Sequence, residues 1–229
     1  QAGARGPAIE EGLAPHGLTL RHYPQSFEFS TLGGWIATRA GGHFATLHTH
    51  IDDFVQSIRM LTPRGRMETR HVPASGAGPS ADRLMLGSEG AFGVIVEATL
   101  RLQETPRWRA SANVSFARFE DGVRATRALA QSGLHPSNCR LLDPVEALMH
   151  RVSDRGDAVL LLAFESADHP LEAWLERSLS IATDLGGTCD EDGRYSSSER
   201  AAAPGEAAAW KAAFLSAPYL QSALVTLGV

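Results

Sequence analysis

Hydroxyl side chains and paired glycines alternate between residues 24 and 42, the part of the sequence with the clearest chemical pattern. The hydroxyls belong to Ser26, Ser30, Thr31 and Thr38, and the glycine pairs are Gly33–Gly34 and Gly41–Gly42. A glycine has no Cβ, so its backbone can adopt a positive φ or let another group come close. Hydroxyls and backbone N–H groups beside such a turn can bind a phosphate or the polar edge of a ring. The same composition also occurs in loops that bind no ligand.

A second glycine-rich run, Leu-Gly-Ser-Glu-Gly-Ala-Phe-Gly-Val-Ile-Val-Glu, occupies residues 86–97. We expect Gly87 to Gly93 to form a loop that leads into a buried strand from Val94 to Leu102. Together the two runs resemble the FAD-linked oxidase family, which has a vanillyl-alcohol-oxidase-type (PCMH-type) flavin domain. The family carries similar runs, Pro-Asp-Ser-x-Glu-Phe-Ser-Thr-x-Gly-Gly-Trp-x-x-Thr-Arg-Ala-Ser/Gly and Gly-Ser-Glu-Gly-x-x-Gly-Val-Ile-x-Glu. Within it, the likeness is greatest to the alkylglycerone-phosphate synthase branch of ether-lipid biosynthesis and its bacterial relatives.

The resemblance implies that FAD is the cofactor and that three runs contact it. These are Gln25, Ser26, Phe27, Glu28, Phe29, Ser30 and Thr31, then Thr38, Arg39, Ala40 and Gly41, and finally Glu89, Gly90, Ala91, Phe92, Gly93, Val94 and Ile95. The sequence departs from the family at two of these positions. Gln25 stands where the relatives carry Asp, and Gly41 stands where the eukaryotic enzymes carry Ser.

The chemistry of FAD agrees with this assignment. The cofactor needs hydrogen-bond donors for its pyrophosphate, close backbone approach beside its ring and apolar walls around it. The two glycine loops can supply donors and clearance, and the walls are expected from Leu32, Trp35, Val94 and Ile95. Arg39 either donates charge-assisted hydrogen bonds to a phosphate or carboxylate, or is a surface arginine in water.

Three histidines, His43, His48 and His50, precede Asp52 and Asp53. Histidines two residues apart on a strand face the same side, and zinc could use such a pair. No HExxH motif or cysteine pair supports that idea. We therefore favour polar residues that line a flavin or substrate cavity, and predict no metal.

The remaining motifs assign no catalytic residue. Glu97 is either a general base or the partner of an arginine. Residues 76–81 fit a loosened GxGxxA dinucleotide pattern, but Pro73 and Pro79 break the strand–turn–helix context that such a motif requires. Walker-type GK[ST] and Gly-x-Ser-x-Gly motifs do not occur in the sequence.

Composition narrows the class of protein. The chain has 229 residues, 43% of them hydrophobic and 21% charged, as in ordinary globular proteins. Its net charge of −5 argues against nucleic acid as a partner. No apolar run approaches the ~18 residues that a transmembrane helix needs. Cys139 and Cys189 show no metal-type spacing and are expected to be thiols in a reducing cytoplasm.

We predict an α+β fold with two parts. Residues 1–104 are expected to be the second half of a PCMH-type FAD-binding domain, and residues 107–229 part of a ferredoxin-like α+β cap domain. In the first part we predict a short helix that starts at Pro7 and exits at Gly12 or Gly17, a hairpin of strands 54–61 and 66–72, and a helix at 81–86.

The second part alternates strands and helices. The expected strands are 110–116, 138–142, 158–165 and 188–191, and the expected helices are 120–132, 144–152 and 169–185. We interpret residues 195–205 as a polar, mobile segment and residues 207–227 as a further helix.

The resemblance implies an FAD-dependent oxidoreductase or an alkylglycerone-phosphate-synthase-like enzyme that acts on a small-molecule or lipid-like substrate, and it is compatible with a homodimer. A D-2-hydroxyacid dehydrogenase and a non-catalytic flavin-fold binding protein are the alternatives. The family's Gly-rich pyrophosphate loop does not precede residue 24, and its catalytic tyrosine and His-rich stretch would follow residue 229. We therefore expect an internal piece of such an enzyme that is inactive alone and binds FAD weakly or not at all.

Overall fold

The computed structural model describes residues 1–43, 47–72, 76–150 and 152–189, and the backbone of residues 194–198. It divides into two compact units. The first contains residues 1–44 and 48–105, and the second continues from residue 106.

The first unit begins with helix α1 (Gly6–Leu13), a 3-10 turn (Ala14–His16) and strand β1 (Leu18–Thr19). Helix α1 ends at Leu13, directly after Gly12, and Gly17 adopts φ +67° at the end of the 3-10 turn, so one of the two predicted exits closes each element. Helix α2 (Leu32–Thr38), a second 3-10 turn (Ile51–Asp53) and strands β2 (Val55–Thr62) and β3 (Gly65–Glu68) follow. Helix α3 (Ala81–Met85) and strands β4 (Val94–Leu100) and β5 (Gln103–Glu104) complete the unit.

Strands β3, β2 and β4 form an antiparallel sheet in that order. The predicted hairpin is confirmed, although β3 ends at Glu68 and not at Val72. Strand β4 is not the buried strand that we expected, because Val94 is 66% exposed. Val94 is the first residue of β4 and pairs with Leu61 of β2, which is also exposed.

Helix α2 corrects the expectation of a loop at Gly33–Gly34. Both glycines lie inside the helix, which the Thr31 side chain caps by accepting from the Gly34 N–H at 3.3 Å. A Cβ at Gly33 would lie 2.9 Å from the Cβ of Ala2, so close contact with the N-terminal segment explains the glycine better than a turn does. Trp35 and Ile36 anchor the helix in the core.

The second unit contains strand β6 (Trp108–Phe116), helix α4 (Phe119–Gln131), strand β7 (Asn138–Leu142), helix α5 (Pro144–Met149), strand β8 (Ala158–Ser166), helix α6 (Glu172–Thr183) and strand β9 (Arg194–Ser198). Its sheet has the order β7-β8-β6-β9 with every pair antiparallel. This order confirms the predicted ferredoxin-like architecture.

Alternation of buried side chains explains this packing. Strand β6 buries every second residue from Ala110 to Phe116, and Leu160 and Leu162 of β8 join the same core. Helices α4 and α6 cover it with apolar faces that include Leu129 and Leu179.

Of the last predicted strand, 188–191, the structure describes only residues 188 and 189. Thr188 makes only an isolated bridge with Ser115, and the strand that pairs with β6 is Arg194–Ser198. This strand overlaps the polar segment for which we predict mobility. An edge strand can be held by its backbone hydrogen bonds, so its composition need not be apolar. The helix predicted at 207–227 lies outside the described residues.

Candidate functional site

The two glycine-rich runs meet in the first unit. The Gly87 N–H donates to the Ile36 carbonyl and the Glu89 N–H donates to the Ala37 carbonyl, each over 3.0 Å. The loop at 87–93 therefore lies against the end of helix α2, where the Thr38-Arg-Ala-Gly run begins.

Arg39 lies at this junction. It caps helix α2 with φ +53°, and its side-chain stem packs against Gly87, which itself has φ +73°. A Cβ at Gly87 would lie 2.6 Å from the Arg39 Cδ. Glycine is therefore required at position 87 both for its backbone conformation and for this contact.

The guanidinium of Arg39 is paired with Asp52. Its Nε donates to Asp52 Oδ2 over 2.7 Å, and its Nη2 donates to the same oxygen. Hydrogen bonding to Asp52, followed by the attraction of its charge, raises the pKa of Arg39 above its ordinary value. A second arginine, Arg83, approaches Asp52 Oδ2 at 3.8 Å. Arg39 is thus anchored, yet 54% of its side chain is exposed.

The hydroxyls of the first run have structural partners. Ser30 Oγ donates to the Ser26 carbonyl over 2.7 Å and accepts from the Trp35 indole N–H over 2.6 Å. Thr38 Oγ1 donates to the Gly34 carbonyl, and Thr31 caps the helix. These hydroxyls therefore shape helix α2 and its approach, whatever they bind in addition.

The apolar residues of the runs separate into a buried set and an exposed set. Leu32 and Trp35, which we expected as walls of a ligand site, are buried in the core at 4% and 2% exposure. Phe27 is also buried and stacks on Trp35 with ring centroids 6.2 Å apart. In contrast, Phe29, Phe92 and Val94 are exposed. Most of the exposed apolar surface of the two runs comes from these three residues, and Ile95, the fourth expected wall, is half-buried.

The second glycine loop contributes backbone shape more than hydrogen-bond donors. The N–H groups of Gly87, Ser88, Glu89, Ala91 and Gly93 all donate to backbone carbonyls within the protein. Gly90 has φ +86°, and a Cβ there would meet nothing within 4 Å. The loop therefore offers close approach and apolar contact. From the sequence we expected its N–H groups to donate to a ligand, but most of them donate to backbone carbonyls of the protein.

These residues fit one part of an FAD site. Gly90 and the exposed Phe92 and Val94 are compatible with contact to a flat aromatic ring, and Arg39 is a half-exposed cation of the kind that binds phosphate.

A buried histidine, His22, was missed in the sequence. It is 1% exposed and lies beside the rings of Trp35 and Phe54, and neither ring nitrogen has a hydrogen-bond partner among the described residues. Burial, followed by the charges of His50 and His43, lowers its pKa from 6.5 to about 4. Gly42 allows the ring to fit, because a Cβ there would lie 3.0 Å from the His22 Nδ1.

The metal hypothesis concerned His43, His48 and His50. Within the ranges that the structure describes, no three histidine, cysteine, aspartate or glutamate side chains are placed to hold a metal ion. The His48 ring lies against Phe54, and the His50 Nδ1 lies 3.4 Å from the Arg39 carbonyl oxygen. His50 thus borders the Arg39 junction.

Glu97 forms the structural pair that was one of its two predicted roles. Its Oε2 accepts from Arg59 Nη1 over 2.7 Å, and Arg59 also pairs with Glu68. The GxGxxA-like run, in the part that is described, leads into the five-residue helix α3 and not into a nucleotide-binding helix.

A Ser–Asp–His cluster in the second unit is a turn. Ser166 Oγ accepts from the backbone N–H groups of Asp168 and His169, at 3.2 and 3.1 Å. The same nitrogen of His169, Nδ1, faces both Ser166 Oγ and Asp168 Oδ1. A catalytic triad uses the two ring nitrogens separately, so this arrangement does not form one.

Family comparisons match both parts of the chain. Residues 1–70 match the family described as FAD binding domain, and residues 105–229 match the C-terminal domain of FAD linked oxidases. The chain therefore belongs to the FAD-linked oxidase family, an enzyme family whose cofactor is FAD.

The chain is similar to several individual members of that family. The chain is 39% identical over 146 residues to alkyldihydroxyacetonephosphate synthase of Dictyostelium discoideum, covering 64% of this chain and 24% of that protein. A solved structure of alkyldihydroxyacetonephosphate synthase matches 98% of this chain and 43% of its own, with a TM-score of 0.81 and 28% identity. D-lactate dehydrogenase of Archaeoglobus fulgidus is 31% identical over 75% of this chain and 40% of its own length. The chain thus spans about a quarter of the Dictyostelium relative.

No helix in the described ranges is both long and apolar enough to cross a membrane.

Proposed function

We propose that the full gene product is an FAD-dependent enzyme of the alkyldihydroxyacetonephosphate synthase type, and that this chain supplies part of its flavin site. The observation that carries the proposal is the contact between the two runs, through Gly87 and Ile36 and through Glu89 and Ala37. Two segments far apart in sequence thereby present one surface. Residues 25–31, 38–41 and 89–95 are proposed to contact FAD on that surface.

We propose that the two parts of the chain belong to two domains of the enzyme. Residues 1–104 form the C-terminal portion of the FAD-binding domain, and residues 107–229 form the N-terminal portion of the cap domain, which shapes the substrate site. The ferredoxin-like sheet of the second unit supports the cap assignment.

Bound FAD supplies the redox or group-transfer chemistry, and the protein supplies position and charge. Arg39, anchored by Asp52, brings a fixed cation to the site. Phe92 and Val94 are exposed apolar side chains that would exclude water from one side of a bound flavin. No described residue is assigned a proton-transfer role.

The relatives and the cysteine content support proposals for the substrate and the cellular location. The names of the relatives denote synthesis of an alkyl-bearing phosphate compound, so we propose a lipid-like substrate and a role in ether-lipid biosynthesis. A cytoplasmic location is proposed because both cysteines are thiols and not a disulfide. A homodimer is the proposed assembly.

A second candidate is an FAD-dependent D-2-hydroxyacid dehydrogenase. The similarity to a D-lactate dehydrogenase over 75% of this chain favours it, at lower identity than the synthase of Dictyostelium. A flavin-fold binding protein without catalysis is the third candidate.

The test uses the purified full gene product. Its visible absorption spectrum should show bound flavin, and it should exchange the acyl group of an acyl-dihydroxyacetone phosphate for a fatty alcohol. Oxidation of D-lactate without that exchange would favour the dehydrogenase. Bound flavin with neither activity would favour the binding protein, and a colourless protein that reconstitution with FAD does not change would contradict all three.

A further inference from the structure

We propose that Arg39 and Arg83, held side by side by Asp52, form a binding site for a phosphate group in the first unit. Arg83 belongs to neither glycine-rich run, and neither the family match nor the relatives assign it a role. The inference rests on the proposed function only in its choice of source, because the phosphate is either that of the cofactor or that of a phosphorylated substrate.

The charges of Arg39, Arg83 and Asp52 do not cancel among themselves. Both arginines are ion-paired with the same carboxylate oxygen, Asp52 Oδ2, in the part of the chain that the structure describes. Two guanidinium groups and one carboxylate leave an excess of one positive charge. Two cations near one oxygen also repel each other, and an anion bound between them removes that repulsion.

The two arginines remain available to a ligand. Their side chains are 54% and 53% exposed, whereas the side chain of Asp52 is only 9% exposed. Arg39 contacts Asp52 through Nε and Nη2, and Arg83 approaches through Nη1 at a distance too long for a hydrogen bond. Each guanidinium therefore keeps outward-facing N–H groups, in the fork geometry that suits phosphate.

Asp52 provides an independent sign that the cluster is built for binding. Asp52 is 6% exposed, and its second oxygen, Oδ1, is buried with no hydrogen-bond partner among the described residues. A buried carboxylate oxygen without a donor costs stability. Both arginines approach Oδ2, and neither donates a hydrogen bond to Oδ1. The carboxylate therefore positions two guanidinium groups while one of its own oxygens stays unpaired, which costs stability.

The surrounding backbone fixes Arg39 and leaves Arg83 adjustable. Arg39 has φ +53° and its stem lies against Gly87. Arg83 lies on the short helix α3 with its side chain half in solvent. A phosphate that binds Arg39 can therefore draw Arg83 into the site, so the pair binds a doubly charged group better than a carboxylate.

The experiment compares Arg83→Gln with Arg66→Gln in the full gene product. Arg66 is a matched control because it is an arginine of the same unit, 58% exposed, that pairs with Glu68 on strand β3. Both variants lose one positive charge and should fold, which thermal unfolding verifies. Binding of inorganic pyrophosphate to the flavin-free protein is measured by calorimetry. We expect Arg83→Gln to weaken it at least about tenfold and Arg66→Gln to leave it within about twofold.

Two further arms identify the source of the phosphate. If the cofactor provides it, Arg83→Gln weakens FAD binding and leaves riboflavin binding unchanged. If a substrate provides it, the variant raises the KM for the phosphorylated substrate and leaves FAD affinity unchanged. Equal pyrophosphate affinity in wild type, Arg83→Gln and Arg66→Gln overturns the proposal. This result differs from a failure of the proposed function. If the proposed function is wrong, the protein binds no flavin, either as wild type or as Arg83→Gln.

Discussion

The Gly87 backbone N–H donates a hydrogen bond to the carbonyl oxygen of Ile36 over 3.0 Å, and this contact joins the two runs most characteristic of the family. Ile36 is fully buried in helix α2, so the contact fixes the glycine loop to the core of the first unit. The exposed residues of both runs, among them Arg39 and Val94, therefore belong to segments that backbone hydrogen bonds join.

Replacing Gly87 with alanine should disrupt this junction. The new Cβ would lie 2.6 Å from the Arg39 Cδ, and alanine would also have to adopt φ +73°. Gly90→Ala is the matched control, because it has the same kind of backbone strain at φ +86° and no neighbour within 4 Å. We expect urea unfolding to show a loss of about 1–2 kcal/mol for Gly90→Ala and a larger loss for Gly87→Ala. Equal losses would show that the Arg39 contact is unimportant.

Glu10 should be a structural anchor of the first unit. Its carboxylate accepts from the Thr19 hydroxyl over 2.7 Å and from the Leu20 N–H over 3.1 Å, so it ties helix α1 to β1. Glu10→Ala leaves these donors without their acceptor and should lower the free energy of unfolding by about 1–3 kcal/mol. Glu11→Ala, the adjacent exposed position of the same helix, should change it by less than about 0.5 kcal/mol. A reversed order would contradict the anchor.

His22 should make the protein sensitive to acid. Its pKa is about 4 in the folded protein, and the ordinary histidine pKa of 6.5 applies to the unfolded chain. Above pH 6.5 both states are neutral and the group has no effect. Between pH 6.5 and 4 the unfolded chain takes up a proton that the folded protein does not, so stability falls as the pH falls, by about 3 kcal/mol in total.

The comparison of His22→Leu with wild type isolates this effect. The free energy of unfolding at pH 7 and at pH 5, measured in urea, should differ less in the variant than in the wild type. His16→Gln, at an exposed position in the first 3-10 turn, should behave as the wild type. An unchanged pH dependence in His22→Leu would show that His22 does not titrate abnormally.

Val94 tests the exposed apolar surface. Because its side chain is 66% exposed, Val94→Asp should cost less than about 1 kcal/mol of stability, yet it places a charge where we propose a flavin contact. We expect FAD affinity of the full gene product to fall at least about tenfold. Val145→Asp, at a position 67% exposed in the second unit, is the control and should not change the affinity. Equal affinities in the two variants would remove Val94 from the site.

The sequence was most informative where one local pattern dominates. The strands and helices from Trp108 to Thr183 follow from alternation and helical periodicity, and Gly17 ends its turn as glycine chemistry predicts. Glu97 pairs with an arginine, one of the two roles open to it. Each of these features depends mainly on neighbours in sequence or on a single cross-strand partner.

Features that depend on distant contacts could not be predicted in this way. The sequence alone favours a turn at Gly33, and only its contact with Ala2 explains a glycine inside a helix. Burial of His22 depends on Trp35 and Phe54 together, and the pairing of Arg83 with Asp52 joins residues from separate elements. Strand β9 has a polar sequence, and its pairing with β6 identifies it as a strand. These contacts and pairings can be seen only in the tertiary structure.

The central claim is that residues 25–41 and 87–95 bind one FAD molecule together. Hydrogen–deuterium exchange of the flavin-free full gene product, with and without added FAD, tests it directly. We predict that FAD slows amide exchange in both segments together, while the exchange of α4 in the second unit stays as it was. Slower exchange in only one of the two segments, or in neither, would contradict the claim.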